Sequence, residues 1–555
     1  MLFLALISAV DVTITEPVDG EEYSGDWLPV RAIVENDDTP PDSVQYTLNG
    51  GSPVPVLRLS TDWYTYMGND DRTGFSASPA PLDDTVLWTA PITGDTHEFC
   101  SPVVVNGTVY FVSDQQSTAY ALDAATGEIL WEYDVVDHVD DAVTWYQGKV
   151  YVAADSAWCL DALTGERIWA FKPAPSIKMN GNPALHEGIA YFSFAPDWNS
   201  MEVYALDADT GEEIWCTPLP SHASGSMTFN EGSIYMPTYN GMLYSIDAAD
   251  GSIQWSNSSS GAGYWDSSPV IVEGVLYICG CDGFVRGIDC SSGDTVWESY
   301  ISDWYIAATP AYAYGRLFFA DQVNSFHCLE GADGSPVWSV PGVQHGSSGV
   351  ADSVVFFGEG ADRDYGKIRA LSVGTGAEIW SCQTGGNEVF SSPAITDGVV
   401  YIAGMDWNLY AFGTGLKYTY LDDLYAVVGQ NELVVTSFSG GAAAAADTVS
   451  FTVTGTGISP EHPFQPRISV SPNPFFSTAY VSFELAEPSM TTVRIYDVTG
   501  RPVAVLVDSH LPAGEHTLRW NGKCGGGENA GPGLYFCRIQ AGSLDGTAGL
   551  CLLRK

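Results

Sequence analysis

Residues 120–131 read YALDAATGEILW, and the pattern returns along most of the chain at intervals of roughly forty residues. Further copies are CLDALTGERIW ending at Trp169, YALDADTGEEIW at Trp215, YSIDAADGSIQW at Trp255 and RGIDCSSGDTVW at Trp297. Two looser ones, HCLEGADGSPVW at Trp338 and RALSVGTGAEIW at Trp380, put Glu330 and Ser372 where the others have Asp. Each copy is an apolar strand, an Asp, a Gly four residues on, and a second strand with Trp eight residues after the Asp. This spells a β-hairpin: the carboxylate accepts from turn amides, and Gly127 and its equivalents supply the positive φ that closes the turn. The indoles, beginning with Trp131, are expected to wedge between neighbouring sheets, where each buries a large apolar area.

A second hairpin signal precedes each copy, a Gly-type turn followed by an aromatic strand, as in VVVNGTVYF, EGSIYM, VEGVLYI and TDGVVYI. Four strands at this period describe a propeller blade, and radial repetition leaves few open sheet edges. Two fragments remain. DTVLW, ending at Trp88, lacks its own preceding strands, while SSPAITDGVVYIAGMDWNLYAFG, Ser391 to Gly413, has three strands and no Trp strand. Placing the Trp88 strand in that last sheet closes the ring, so the expected fold class is all-β, with an eight-bladed β-propeller closed by an N-terminal strand.

The hairpin D-x-x-[TD/SG]-G-x-x-x-W resembles the pyrroloquinoline quinone-type propeller repeat, over residues 61–413. That family includes bacterial quinoprotein alcohol dehydrogenases and also the non-enzymatic propeller of the outer-membrane assembly lipoprotein. TDWYTYMGNDDRTGFS, Thr61 to Ser76, resembles the lead-in that precedes the first blade in such proteins.

Residues 11–60 alternate apolar and polar side chains between turn signals and resemble the first part of a bacterial immunoglobulin-like sandwich. A matching second part follows at 414–457, with NELVVTSFSGGAAAAADTVSFTVTG from Asn431 to Gly455. The propeller is therefore expected to be inserted in one such sandwich, or flanked by two independent fragments of it. A Pro-bearing linker, 458–466, leads to a separate β-sandwich at 467–555. This last region resembles the C-terminal sorting domain of type IX secretion substrates and the related flagellar hook-cap sandwich. The matching residues are Pro472-Asn473-Pro474-Phe475, Ile495-Tyr496-Asp497 with Gly500, Gly514 before His516 and Trp520, Pro532-Gly533 with Tyr535-Phe536, and a terminal basic pair. The resemblance implies the type IX secretion machinery as a partner.

A formal charge of -47, from 68 acidic against 21 basic side chains, opposes binding to nucleic acid or anionic lipid. MLFLALISA, Met1 to Ala9, resembles the later part of a signal peptide, assigned as a partial one over 1–10; the run is too short to span a bilayer. The expectation is a monomer, secreted or on the outer cell surface via the periplasm, with no membrane insertion. Eleven cysteines form no regular framework. Cys159 and Cys328 occupy a repeat position shared with Ala121, Ala205 and Ala370, which points to packing. Cys524 and Cys537 lie on neighbouring predicted strands, close enough in pattern to pair in an exported protein.

Quinoprotein dehydrogenases use a vicinal cysteine pair, a calcium ion and a catalytic Asp. Here the nearest approach is Cys279-Gly280-Cys281, and C-x-x-C-H, H-E-x-x-H, G-x-S-x-G and phosphate-loop motifs are missing from the sequence. Asp282-Gly283 and Asp362 to Asp364 fall short of a calcium ligand set. No catalytic residue, cofactor or metal is expected. What remains is the set of loops leading into each innermost strand, which converge on the channel of a propeller. They carry His97, Glu98, Asp140, Asp141, Lys178, His222, Trp265, Asp266, Trp304, Tyr305, His345 and Glu388. Of these, Glu98, Asp141, His222, Trp265, Asp266, Trp304, His345 and Glu388 are the candidate ligand-binding residues, because aromatics mixed with charged groups suit a glycan or protein ligand. The expected function is a non-catalytic binding propeller; the alternatives are a quinoprotein dehydrogenase and a structural cell-envelope component.

Overall fold

The computed structural model describes residues 11–552 apart from 20–21, 24–26, 37–42, 50–52, 59–60, 93–99, 114–116, 136–141, 174–177, 180, 198, 223–224, 259–262, 265, 322–324, 343–345, 362–364, 386–388, 390, 426–428, 440–441, 454–468, 472–478, 486–488, 498–501, 512–513, 521–522, 524–532 and 542–543. The apolar start, the linker and the Pro472-to-Phe475 motif lie outside these residues. Among the described residues every regular element is a β-strand. The chain divides into two compact units, Met1–Gly455 and Thr456–Lys555.

In the first unit, Val103–Val105, Thr108–Ser113, Thr118–Asp123 and Ile129–Asp134 pair in chain order as an antiparallel sheet. Seven further sheets follow this plan, two of them with a fifth strand. In the last, Ala394–Thr396, Val399–Gly404 and Asn408–Phe412 are completed by Val86–Pro91, with Trp88 opposite Ala411.

The repeat pattern explains each sheet locally. Asp123 Oδ1 accepts from the Thr126 amide and hydroxyl, both at 2.9 Å, and from the Ala125 amide at 3.1 Å. The same turn recurs at Asp161, Asp207 and Asp289, whose carboxyls are held below their ordinary range by these bonds. Glu330 and Ser372 keep the backbone bond of the turn, with Gly334 and Gly376 donating to their carbonyls at 2.9 and 2.8 Å, and Asp333 and Thr375 supply the side-chain acceptors.

Each Trp lies opposite a small residue: Trp131 on Ala121, Trp169 on Cys159, Trp215 on Ala205, Trp255 on Ser245, Trp297 on Gly287, Trp338 on Cys328 and Trp380 on Ala370. This register accounts for Cys159 and Cys328, both fully buried. Indoles then pack onto the hairpin of the next sheet. Trp88 Nε1 donates to Ala124 O at 2.9 Å, Trp169 to Ala208 O at 3.0 Å and Trp297 to Gly331 O at 3.0 Å. The hairpin glycine has two reasons to be glycine: Gly127 sits at φ 72°, and a Cβ there would come within 2.6 Å of the Trp88 ring. Trp380 meets no such hairpin, because the last sheet is split between chain ends; it donates to Pro81 O at 3.0 Å instead.

The sequences flanking these sheets pair with one another. Trp27–Asn36 runs antiparallel to Leu416–Tyr425, and Ser43–Leu48 to Gly429–Ser439. Alternation buries Val30, Ala32 and Val34 against Leu433, Val435 and Phe451 in the core. In the second unit, Ser469–Ser471, Ala479–Leu485 and Gly514–Trp520 form one sheet. Pro502–Leu511, Ser489–Asp497, Gly533–Ala541 and Leu544–Leu552 form another. Trp520 is buried there, its ring 4.9 Å from that of Tyr535. Cys537 is a buried free thiol; Cys524 lies outside the described residues.

Candidate functional site

Seven of the eight innermost strands are preceded by a short polar residue, and these residues are linked from sheet to sheet. Asn182 N–H donates to Ser226 Oγ, Ser226 N–H to Ser268 Oγ and Ser268 N–H to Thr309 Oγ1, each at 2.9 Å. Thr309 N–H donates to Ser347 Oγ at 3.0 Å, Ser347 N–H to Ser392 Oγ at 2.9 Å, and Ser392 N–H to Ser101 Oγ at 2.9 Å. All seven residues are buried. The second sheet has Ala142 at this register and contributes no hydroxyl; Asn182 Oδ1 is buried without a hydrogen-bond partner.

The segment Thr61 to Ser78 runs along the inner strands and bonds to one sheet after another. It starts at the last sheet, where Thr61 Oγ1 meets Thr396 Oγ1 at 2.8 Å. Trp63 then exchanges backbone bonds with Val104 of the first sheet, and Tyr64 O accepts from Trp145 N of the second at 2.7 Å. Asp71 O accepts from Ile271 N at 3.0 Å, Thr73 O from Tyr312 N at 2.7 Å, and Gly74 O from Val350 N at 2.7 Å. Ser78 Oγ finally accepts from Gly398 N at 2.7 Å, back in the last sheet. Arg72, only 2% exposed, serves the third and fourth sheets: Nε donates to Met227 O at 2.9 Å and Nη2 to Asn182 O at 3.4 Å, while Nη1 reaches Tyr66 O at 3.1 Å. Carbonyl dipoles thus solvate a buried cation. Tyr66 OH reaches Ser347 Oγ at 2.8 Å, and burial pushes its phenol up.

The segment touches both ends of the inner strands: Asp62 Oδ1 accepts from the turn residue Asn106 N at 3.0 Å, whereas Tyr66 and Arg72 reach Ser347 and Asn182 at the strand entries. The loops named from sequence lead into these entries. Among them, His222 stacks on Tyr239 with centroids 4.4 Å apart, and Tyr239 N donates to His222 O at 3.1 Å. Trp304 is 56% exposed, with Tyr305 at 5.5 Å and its own amide held by Ser302 Oγ at 3.1 Å. Asp266 is exposed at φ 54°, and its carbonyl accepts from Thr309 Oγ1 at 3.4 Å. Glu98, Asp141, Trp265, His345 and Glu388 lie outside the described residues, as do His97 and Asp140 and the Lys178 side chain.

Tyr239 is not among the residues expected from sequence, and the resemblance of Thr61 to Ser76 to a lead-in does not tell that the segment bonds across the sheets. The signal for the latter was present: four aromatic residues and an Arg in a short stretch of a chain poor in basic residues.

Cys279 and Cys281 do not make a vicinal pair: Gly280 lies between them, where a Cβ would come within 2.5 Å of Asp282 Oδ1, and Cys279 is fully buried, with its thiol pushed up by burial. Asp282 is engaged in turn by Arg286, at 3.0 Å from Nη1 and 2.5 Å from Nη2. The described residues hold no group of three or more His, Cys, Asp or Glu side chains suited to a metal ion.

Residues 77–197, 158–304, 282–413 and 333–451 match the family described as outer membrane protein assembly factor BamB, which together is more than half of the chain. The chain belongs to the BamB family. Residues 469–545 match the FlgD Ig-like domain. The BamB protein of Shewanella oneidensis is 21% identical over 371 residues, 60% of this chain and 90% of that protein. The BamB protein of Yersinia pestis is 26% identical over 254 residues, 40% of this chain, and the chain spans 54% of its length. A polyvinylalcohol dehydrogenase from Pseudomonas sp is 24% identical over 414 residues, 56% of this chain and 59% of that protein. Among solved structures, quinohemoprotein alcohol dehydrogenase from Comamonas testosteroni superposes with a TM-score of 0.53 at 17% identity, over 65% of this chain and 80% of that one. This BamB-family chain therefore has the β-propeller fold that assembly factors and dehydrogenases share. Among the described residues no helix is long and apolar enough to cross a membrane.

Proposed function

We propose that this chain is a non-catalytic binding propeller of the cell envelope, secreted or displayed on the outer surface, that presents its strand-entry loops to a glycan or protein ligand. The observation that carries this reading is the course of the segment Thr61 to Ser78. With Thr61 to Ser78 hydrogen-bonded along the innermost strands, the loops beyond the strand entries, with His222, Tyr239, Trp304 and Tyr305, are the face left for recognition. Exposed rings there offer flat apolar contact at small entropic cost. In the same reading the eight sheets are blades of one closed ring, supported by the Trp88 strand in the last sheet and by the Trp380 bond to Pro81. The ring is inserted into an immunoglobulin-like sandwich, supported by pairing of Trp27–Asn36 with Leu416–Tyr425. The C-terminal domain at 467–555 is read as a type IX sorting domain and the chain as a monomer.

The test is a glycan and peptide array probed with the full chain and with Trp304→Ala and His222→Ala. A saturable ligand weakened in both supports the reading; a ligand indifferent to both variants removes it. Export is tested separately by deleting residues 467–555 and following the protein between periplasm and medium, where unchanged secretion defeats the sorting assignment.

Similarity to a polyvinylalcohol dehydrogenase favours a second reading, a quinoprotein dehydrogenase. Incubation with calcium and pyrroloquinoline quinone distinguishes it: a bound chromophore with dye reduction would replace the binding reading.

A further inference from the structure

We propose a second binding site, for a neutral saccharide of one or two rings, in the recess between the flanking sandwich and the hairpin end of the propeller. The recess has a volume of about 330 Å³ and is lined by Glu16 and Arg31 of the sandwich, Phe75 and its neighbours near the end of the segment Thr61 to Ser78, and the turn residues Tyr314 and Asp352. Its size is at the low end of the roughly 300–1,000 Å³ typical of small-ligand sites, which sets the limit on ring number.

The walls select the ligand chemistry. Phe75 and Tyr314 stand edge to face, centroids 5.8 Å apart at 84°, and are 36% and 54% exposed. Such a pair offers a flat apolar face to the C–H side of a sugar ring. Glu16 and Asp352 repel an anion, as does the net charge of -47, while Arg31 repels a cation. Three charged groups and Ser76 also disfavour a wholly apolar occupant. A polyhydroxylated neutral molecule satisfies every wall, because carboxylates accept from vicinal hydroxyls and the guanidinium donates to ring and hydroxyl oxygens.

The aromatic wall is built at a cost. The inner hairpins place Asn106, Gln147, Glu187, Glu231, Glu273 and Asp397 at the left-handed position that Tyr314 occupies at φ 53°. Each of those turns, and that of Tyr314, has Gly next; the neighbouring turn instead has Asp352 at φ 42° followed by Ser353 at φ 65°. Two successive non-glycine residues in this region are strained. Ser353 N–H donates to the Tyr314 hydroxyl at 3.1 Å, so the strained turn holds the ring in place. Arg31 is held likewise, Nη2 donating to Ala77 O at 3.2 Å. The strained turn at Asp352 and Ser353 and the bond to Ala77 O thus fix the Tyr314 and Arg31 walls of the recess, as a preorganised binding site requires.

None of these residues belongs to the loop face, so the two sites are separable. Saturation-transfer NMR on the full chain, with cellobiose, maltose, lactose and N,N′-diacetylchitobiose as probes and glucose 6-phosphate and glucosamine as charged comparators, tests the proposal. At least one neutral disaccharide is expected to bind saturably, about tenfold more weakly in Tyr314→Ala and in Phe75→Ala, and unchanged in Trp304→Ala. Should Tyr314→Ala not fold, Phe75→Ala and Glu16→Gln carry the test. The proposal is overturned if no neutral probe binds, if a charged comparator binds as well, or if binding survives these changes. Binding lost only in Trp304→Ala assigns the sugar to the loop face and overturns it too.

Discussion

Ser392 donates its backbone N–H to the hydroxyl of Ser101 at 2.9 Å, across 291 residues of chain. The bond joins the last sheet to the first at the level where five other sheet-to-sheet links are accepted by Ser and Thr hydroxyls. Both residues are buried, so water cannot replace the hydroxyl. Ser101→Ala is expected to cost about 1–3 kcal/mol, read as a lower urea midpoint for the first unit, whereas Ser101→Thr retains most of the stability.

The hairpin glycines separate into two kinds, which makes a clean comparison. At Gly211 a Cβ would lie 2.7 Å from the Trp169 ring at φ 72°; at Gly148, φ 78°, nothing lies within 4 Å. Gly211→Ala combines backbone strain with a clash and should cost about 2–4 kcal/mol. Gly148→Ala carries the backbone term alone, about 1 kcal/mol. Equal losses in chemical denaturation would show that the indole contact contributes little.

Arg72 is the side chain that fastens the segment Thr61 to Ser78. Arg72→Met keeps much of the apolar stem but leaves the carbonyls of Met227, Tyr66 and Asn182 short of a donor. A loss of about 2–4 kcal/mol is expected, with protease cutting appearing between residues 61 and 78. Undiminished thermal stability would mean that the segment is held by its backbone bonds.

Two aspartates should respond to pH in opposite senses. Burial raises the Asp71 carboxyl, opposed by its bond from Asn230 and reinforced by Glu231. The folded state then favours the protonated form, so this contribution is present below the unfolded value and lost as pH rises through the raised one. Asp71→Asn should raise the unfolding temperature at pH 7, with the gain vanishing toward pH 3. Asp207 is lowered, chiefly by the Thr210 hydroxyl and amide. Its contribution is present above the unfolded value and lost as pH falls through the lowered one, so Asp207→Ala should destabilise at pH 7 and match the parent in strong acid. Parallel pH profiles for the two variants would refute the assignment.

The loop face was only partly legible in advance. Trp304 and His222 could be picked out because an aromatic or imidazole between two strand signals has no packing role to absorb it. Tyr239 could not, since its stacking on His222 depends on a neighbouring loop in space.

The sequence by itself determined the all-β class, the hairpin and its turn chemistry, and the pairing of each Trp with a small residue. These are consequences of contacts within about a dozen residues, where strand alternation and a turn leave one geometry available. Tertiary structure alone decided that Thr61 to Ser78 bonds to one sheet after another, that a buried arginine is solvated by carbonyls of distant strands, and that Phe75 meets Tyr314 beside Arg31. Those arrangements rest on pairs far apart in the chain, and no local spacing encodes which distant carbonyl or ring a side chain will meet once the sheets have been drawn together.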